Sequence, residues 1–578
     1  MKSKILIVDL DRQKSKIEQI DVLEHYLGGS GLAACLFEKY GLIDEPASHP
    51  RQPVIWAIGP LSAMFPMMSK VVMAFKSPYN EQYTESHAGG RLAMAMRFSG
   101  YQAIVLIGKC ARLSVLEISD HSINFFPVPF LEKADVFSIG KILRRITKLP
   151  SGQRSILRIG PAGENKSPIA CVNVDTYRHF GRLGGGAALG YKNIKALVIG
   201  GRANTSLQEI DLKAYQKRYQ ELYQLITTSG VVKKYHDLGT AQNLIPLNEL
   251  KCLPWNNLQK TSDPGIEGIS GEAFAQKLLL RKTACAGCPV GCIHIALLRE
   301  QFGQEHEFLF RQVAYDYELI FALGSMLGLK DAEDVLRLIE QVEREGLDAI
   351  SAGVLLAYVT EGLEKGLFSI EQTLVDLAFE KAREYVQAIH FIANPPNEFW
   401  QIMAQGLAQA VQKLGGEDFA CVLGQEMAGY ATGENYFVSQ ALGFRHSHLD
   451  LGAYSLDQSS KEKDVHQALE FFQKEEKYRV MLTSCVGCLF ARKAYSWEQM
   501  ASALSCVGLN LGPEELQKIA QEIAVRRWRL KIKTGFDPET VKIPKRYLEV
   551  ETFKGKIDTN YLEMLRQTYA RYIKELVK

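Results

Sequence analysis

Nothing in this 578-residue chain approaches ~18 uninterrupted apolar residues, so no membrane span is expected. The opening, MKSKILIVDLDRQKSK, has a basic end, but its apolar run stops at Asp9, too short for a signal-peptide core. A cytoplasmic location is the default expectation. An excess of one charge is missing too: 68 basic against 65 acidic residues leave a formal net charge of +3. That balance argues against nucleic acid or an anionic membrane as the main partner. Cysteine is sparse, 11 in all, and so low and odd a count excludes a secreted disulfide framework. Fixed-period repeats and low-complexity tracts are absent. No glycine-rich stretch sits in a strand–GxGxxG–helix setting and there is no Walker A lysine, which argues against a dinucleotide or P-loop site.

What is present is an ordinary globular composition, 47% hydrophobic, in a chain long enough for two to four domains. The first part is rich in β signals. ILIVDL, PVIWAIG, KVVMAF, AIVLIG, LSVLEIS and KALVIGG are short apolar runs bounded by Gly, Pro, Ser or charge. Helical periodicity then takes over. In DAEDVLRLIEQVEREG, Asp331 is the expected N-cap, residues 335, 336, 338, 339 and 342 form one apolar face, and Gly346 ends the helix. EFWQIMAQGLAQAVQKLGG and PEELQKIAQEIAVRRWRLKIKTG repeat the pattern. The expected class is α+β: a β-rich cofactor-binding domain (1–205), then two mostly α-helical domains (206–415 and 416–578) divided at Gly415-Gly416.

Cys35, Cys110, Cys171, Cys252, Cys421 and Cys506 stand alone and read as small buried hydrophobes. Cys285, Cys288 and Cys292, in TACAGCPVGC, do not. A zinc site built from Cys285/Cys288 and Cys485/Cys488 would leave Cys292 without a role. An iron–sulfur cubane uses all three clustered thiolates and takes its fourth from elsewhere, here Cys485 or Cys488. Gly287 and Gly291 let backbone N–H groups turn toward such an anion. Four glycine-rich stretches in the first domain (26–34, 86–101, 158–165 and 177–192), together with Lys70, Arg178 and Arg182, point to an anionic cofactor.

The ordered blocks GGSGLAA, GPLS, KVVMAFKSP, SGYQAIVLIGK, RIGPAGEN, RHFGRLGGGAALG, CAGCPVGC, YDYELIFALGS, EREGLDAISAG and CLF resemble the aldehyde:ferredoxin oxidoreductase family through most of the chain. The resemblance implies a pterin-cradling N-terminal domain, a bis-molybdopterin (tungstopterin) centre holding W or Mo, and a [4Fe-4S] cluster. It makes Cys285, Cys288 and Cys292 cluster ligands and selects Cys488, before Leu489-Phe490, as the fourth. It carries pterin contacts to Glu343, Gly346, Leu347 and Asp348, and to Thr483 and Gly487 in a second, altered motif. Phosphate-side contacts fall on Lys70, Gly89, Arg178 and Arg182, with His179 and Gly184 of the same block. His87 stands where the family has an asparagine beside a bridging Mg2+. Glu318 and His448 match residues near the metal, with His446 a close competitor. The implied reaction is oxidation of an aldehyde to a carboxylate, with Glu318 as base and His448 bonding the carbonyl oxygen. The implied acceptor is ferredoxin or a ferredoxin-like iron–sulfur subunit, and a homodimer is one assembly in view. Two other readings are a tungsten subunit of a benzoyl-CoA reductase-like complex and an electron-transfer subunit carrying only the cluster.

Overall fold

The computed structural model describes residues 3–21, 23–203, 210–304, 306–460 and 462–578. The domain boundary expected at 205/206 lies outside them. The architecture is mixed α/β, 46% helical and 17% strand, with the β-rich part first and the helices after it.

All six runs read as strands are strands, and they split between two six-stranded sheets. Spatial order in the first is Lys14–Ile20, Ser3–Asp9, Ala103–Ile107, Val54–Ala57, Val71–Lys76, Tyr83–Ala88. In the second it is Arg178–Phe180, Val172–Val174, Arg154–Arg158, Ile194–Gly200, Ser114–Ile118, Ile123–Pro127. Each sheet has one parallel pair, Ser3–Asp9 with Ala103–Ile107 and Ile194–Gly200 with Ser114–Ile118; the rest pair antiparallel. Because side chains alternate along a strand, Ile5, Ile7, Ile55, Val72 and Ala74 face helix Gly29–Tyr40. Their neighbours Leu6, Val8, Trp56, Val71 and Met73 meet Leu116, Leu157 and Leu197 of the second sheet. This two-sided burial explains why the central runs are apolar throughout rather than alternating.

Helix Ala332–Glu345 follows its sequence signals. Asp331 accepts from the Glu333 and Asp334 N–H groups, and Gly346 ends it at φ 73°. The run from 398 is not one helix. It breaks into Glu398–Met403 and Leu407–Leu414 at Gly406 (φ 89°), where the Leu407 N–H donates to Glu426 Oε1 at 2.9 Å. A three-stranded antiparallel sheet, Leu279–Thr283, Ile293–Gln301 and Phe308–Tyr315, lies in the stretch read as helical. Its pairing of Thr283 with Ile293 closes the cysteine segment into a hairpin loop. Among the described residues no helix is long and apolar enough to cross a membrane.

Candidate cofactor and active site

Four chain segments meet at the cysteine loop. The Met67 N–H donates to Gly287 O (3.0 Å), and the Cys488 N–H donates to Met67 O (3.1 Å). Met67 thereby joins the loop to the segment carrying the fourth thiol. The Ala286 N–H donates to Gly90 O, and the Gly90 N–H donates to Cys285 Sγ at 3.2 Å. Cys285, Cys288, Cys292 and Cys488 lie within mutual electrostatic range, and Arg178 faces Cys285, Cys292 and Cys488. Cys485 does not join them: it is fully buried in an apolar cluster with Leu61, Met68 and Leu482. Of the isolated cysteines, Cys35 and Cys506 are only half-buried, while Cys110, Cys171, Cys252 and Cys421 are buried as expected.

The electrostatics separate the thiols. Burial pushes Cys285 up, but Arg178, Lys70 and the Gly90 N–H outweigh it and hold the thiol below its usual range. Burial pushes Cys288 up to about 12 and Cys292 up to about 11. Among the described residues, no three His, Cys, Asp or Glu side chains converge on a point that one ion could occupy. A structural zinc needs that convergence. A cubane does not, because each thiolate meets its own iron.

Gly89 lies against the thiol: a Cβ there would sit 2.8 Å from Cys285 Sγ and 3.3 Å from Lys70 Nζ. The other glycine blocks mostly serve the chain itself. A Cβ on Gly28 would strike the Ile58 carbonyl at 2.6 Å, and one on Gly184 the Pro168 carbonyl at 2.7 Å. These glycines allow backbone to pack on backbone.

Glu343 is engaged by its own protein. It accepts from Asn173 Nδ2 at 2.5 Å and from His179 Nε2 at 2.8–2.9 Å. Asp348 caps helix Ala349–Glu364 and accepts from Arg182 Nε at 3.2 Å. Gly346 packs on Gly160, and Leu347 bridges to Ala170. Arg182 also donates to Glu426 O (2.8 Å), and Glu426, which has no motif in the sequence, further binds Tyr79, Ser351 and the Leu407 N–H. Several buried polar atoms on this wall have no partner among the described residues: Arg178 Nε, Arg182 Nη1 and Asn173 Oδ1.

The second motif is built around a carboxylate that the sequence did not announce. Ser30 Oγ–H donates to Glu85 Oε2 at 2.7 Å, and the same Oγ lies 3.0 Å from Thr483 Oγ1. The neighbouring Gly487 N–H donates to Leu482 O at 2.8 Å. His87 is also taken up there. Arg445 Nη1, which can only donate, lies 3.2 Å from His87 Nδ1, so Nε2 carries the ring proton toward Glu85 Oε2, 3.2 Å away. Both ring nitrogens are thus used, and no lone pair is left for a magnesium ion at the position where the family has an asparagine. Burial, then the Arg445 charge, lowers His87 to about 4.

Glu318 and His448 do come together: His448 Nε2 lies 3.2 Å from Glu318 Oε1. Asp316 caps helix Tyr317–Leu323 by accepting from the Leu319 N–H, which sets Glu318 on its first turn. Ser447 caps the short helix that begins at His448. Tyr430 packs on the His448 ring at 5.2 Å and stacks on Tyr454 at 4.9 Å. His448 Nδ1 is buried and has no partner among the described residues. His446 is the contrasting case: Nδ1–H donates to Ala441 O and Nε2 lies 3.0 Å from Lys531 Nζ, so the ring is consumed in the core. Asp316 is a further neighbour that motif reading missed. Burial and the Glu318 carboxylate raise it to about 6.

Residues 5–201 match the model of the aldehyde ferredoxin oxidoreductase N-terminal domain, and residues 217–572 match that of its domains 2 and 3. The protein is an oxidoreductase. The chain belongs to the aldehyde ferredoxin oxidoreductase family. It is 27% identical to the tungsten-containing aldehyde ferredoxin oxidoreductase of Pyrococcus furiosus, over 98% of this chain and 94% of that one. The aliphatic sulfonate oxidoreductase WOR-like subunit of the same organism is 26% identical over 71% of this chain and 67% of its own. The active-site complex BamBC of benzoyl-coenzyme A reductase, solved with 1,5-dienoyl-CoA, superposes with a TM-score of 0.82, covering 99% of this chain and 95% of that one. At 18% identity that likeness bears on the fold alone.

Proposed function

We propose that this oxidoreductase converts an aldehyde and water to a carboxylate, releasing two electrons to an iron–sulfur acceptor. The observation that carries the reading is the Glu318–His448 pair, 3.2 Å apart under Tyr430, with His448 Nδ1 lacking any partner among the described residues. Buried polar atoms are normally satisfied, so that nitrogen calls for a substrate or water.

The residues present fit the cofactors that the family likeness implies. Cys285, Cys288, Cys292 and Cys488 would hold a [4Fe-4S] cluster, and the unpartnered Arg178 and Arg182 nitrogens suit the anionic groups of a tungsten- or molybdenum-bearing pterin pair. When bound, such a centre supplies two-electron redox chemistry and the cluster a one-electron exit.

The chain's own part is proton handling and position. With Glu318 ionised, its carboxylate accepts the His448 Nε2–H, which leaves Nδ1 as the acceptor. His448 then takes a proton from the attacking water or hydrate, and Glu318 steadies the imidazolium that forms. Here the base atom is His448 Nδ1 rather than the Glu318 carboxylate. General-base help of this kind is worth roughly 10²–10⁴-fold. Tyr317, Tyr430 and Tyr454 wall the pair in.

Metal analysis of anaerobically purified protein, read with aldehyde-dependent viologen reduction, tests the proposal. About four irons and one tungsten or molybdenum per chain are expected together with dye reduction. Iron alone, without dye reduction, would overturn it in favour of a cluster-only carrier.

A further inference from the structure

The segment after Cys488 runs through Leu489 to Phe490, whose ring stacks on Tyr235 at 4.1 Å and 8°. Tyr235 belongs to helix Val231–His236, and that helix rests on the cysteine loop. Its His236 Nδ1–H donates to Val290 O at 3.1 Å, and a Cβ on Gly291 would meet the same nitrogen at 2.8 Å. Tyr235 is within electrostatic range of both Cys488 and Glu318. The stacked pair therefore sits next to the thiol site, and both rings are half-buried.

Around the pair the surface is basic. Lys233 and Lys234 are exposed on the helix, and Arg492 and Lys493 on the segment beyond Phe490. Lys234 Nζ lies 5.2 Å from the Tyr235 ring centre. Among the described residues, none of these four cations has a carboxylate partner. Asp237, the acid next along the helix, is faced by Lys282 at 3.8 Å. Partial desolvation of its amine, then the charges of Arg492 and Lys493, lowers Lys234 below the usual lysine range, so these three cations face one another. Gly287, in the cysteine loop, is exposed, with nothing within 4 Å of its would-be Cβ. An uncompensated cationic ring around an apolar centre is complementary to a partner with the reverse pattern.

We propose that Lys233, Lys234, Arg492 and Lys493, set around the Tyr235–Phe490 stack, form the docking face for a small acidic iron–sulfur electron carrier. The proposal rests on the functional reading above. Oxidation of one aldehyde with water to a carboxylate releases two electrons, which the oxidised carrier would take up and be reduced by, one per iron–sulfur cluster that it holds.

The test is a triple charge reversal, Lys234→Glu/Arg492→Glu/Lys493→Glu, in the holoenzyme, with an acidic two-cluster ferredoxin as probe. Binding to immobilised enzyme is measured at several salt concentrations, beside aldehyde-dependent reduction of ferredoxin and of methyl viologen. A loss of about tenfold or more in ferredoxin affinity is expected, with a flatter salt dependence and an unchanged viologen rate. The control, Lys141→Glu/Arg145→Glu/Lys148→Glu, makes the same charge change on and just beyond helix Val136–Ile146 and should bind ferredoxin normally. Unchanged ferredoxin binding by the first variant, or equal loss by the control, overturns the docking face. An unaltered enzyme that reduces no viologen overturns the aldehyde reading instead, and the binding measurement still decides the surface.

Discussion

Arg527 and Glu85, 442 residues apart in the chain, meet through two parallel N–H···O bonds of 2.7 and 3.1 Å in a fully buried setting. The arginine lies on helix Pro513–Lys533 and the glutamate on the strand Tyr83–Ala88, so this pair ties the C-terminal helices to the first sheet. Ser30 and His87 use the remaining capacity of the carboxylate. Burial pushes Glu85 up, but Arg527 and His87 outweigh it and hold the group well below the usual carboxylate range.

Removing one partner should therefore cost more than removing both. Arg527→Met leaves a buried carboxylate unpaired and should destabilise the protein by about 3–5 kcal/mol; Glu85→Gln/Arg527→Met should cost clearly less. Urea-unfolding midpoints of the two variants check the order. The same pair gives an acid limb. A depressed folded-state pKa adds stability that is present above the unfolded value of about 4.3 and fades as pH falls through the lower folded value. Wild-type stability should fall with acid over that window, and the Glu85→Gln variant should fall less steeply.

Cys488 and Cys485 should behave oppositely. Cys488→Ser is expected to lower iron content sharply, with anaerobic metal analysis as the readout. Cys485→Ala should keep its iron and lose only about 1 kcal/mol or so of stability from the deleted buried sulfur. Equal iron loss in both variants would remove the distinction drawn from the geometry.

Gly89→Ala places a methyl group 2.8 Å from Cys285 Sγ. The thiol must move or the turn must open. Iron content should drop while far-ultraviolet circular dichroism stays unchanged. Normal iron loading in a folded variant would show that the approach of Gly89 to the thiol has no consequence.

Glu318→Gln leaves the pocket packed and removes the carboxylate charge beside His448 that the proposed mechanism relies on. A fall in kcat of roughly 10²–10⁴-fold is expected, with metal and iron retained. His446→Gln, by contrast, should act on stability, because that ring is bound to Ala441 O and Lys531 in the core. A stable, inactive His446→Gln enzyme would reverse the assignment.

Much of the first domain was legible because its local signals agree. Six apolar runs became six strands, and in the following part Asp331 with Gly346 bounded a helix where caps predict one. The grouping of Cys285, Cys288 and Cys292 was legible for the same reason, since three thiols in one short loop need no knowledge of the remaining chain. The strands at 279–283, 293–301 and 308–315 escaped notice because their order comes from pairing across the loop rather than from composition. The break at Gly406 escaped as well, since a carboxylate from a later segment, Glu426, supports it.

The sequence by itself determined which side chains are available: the three-thiol loop, the arginines at 178 and 182, and the candidate pair Glu318 and His448. Only the tertiary structure sets Cys488 beside the cysteine loop and Cys485 in an apolar cluster, and His448 against Glu318 with His446 bound in the core, and it alone revealed Glu85 and Glu426 as hubs. The physical reason is that a lone thiol, imidazole or carboxylate has the same local signature in a core as in a site. What it does depends on groups brought to it from hundreds of residues away.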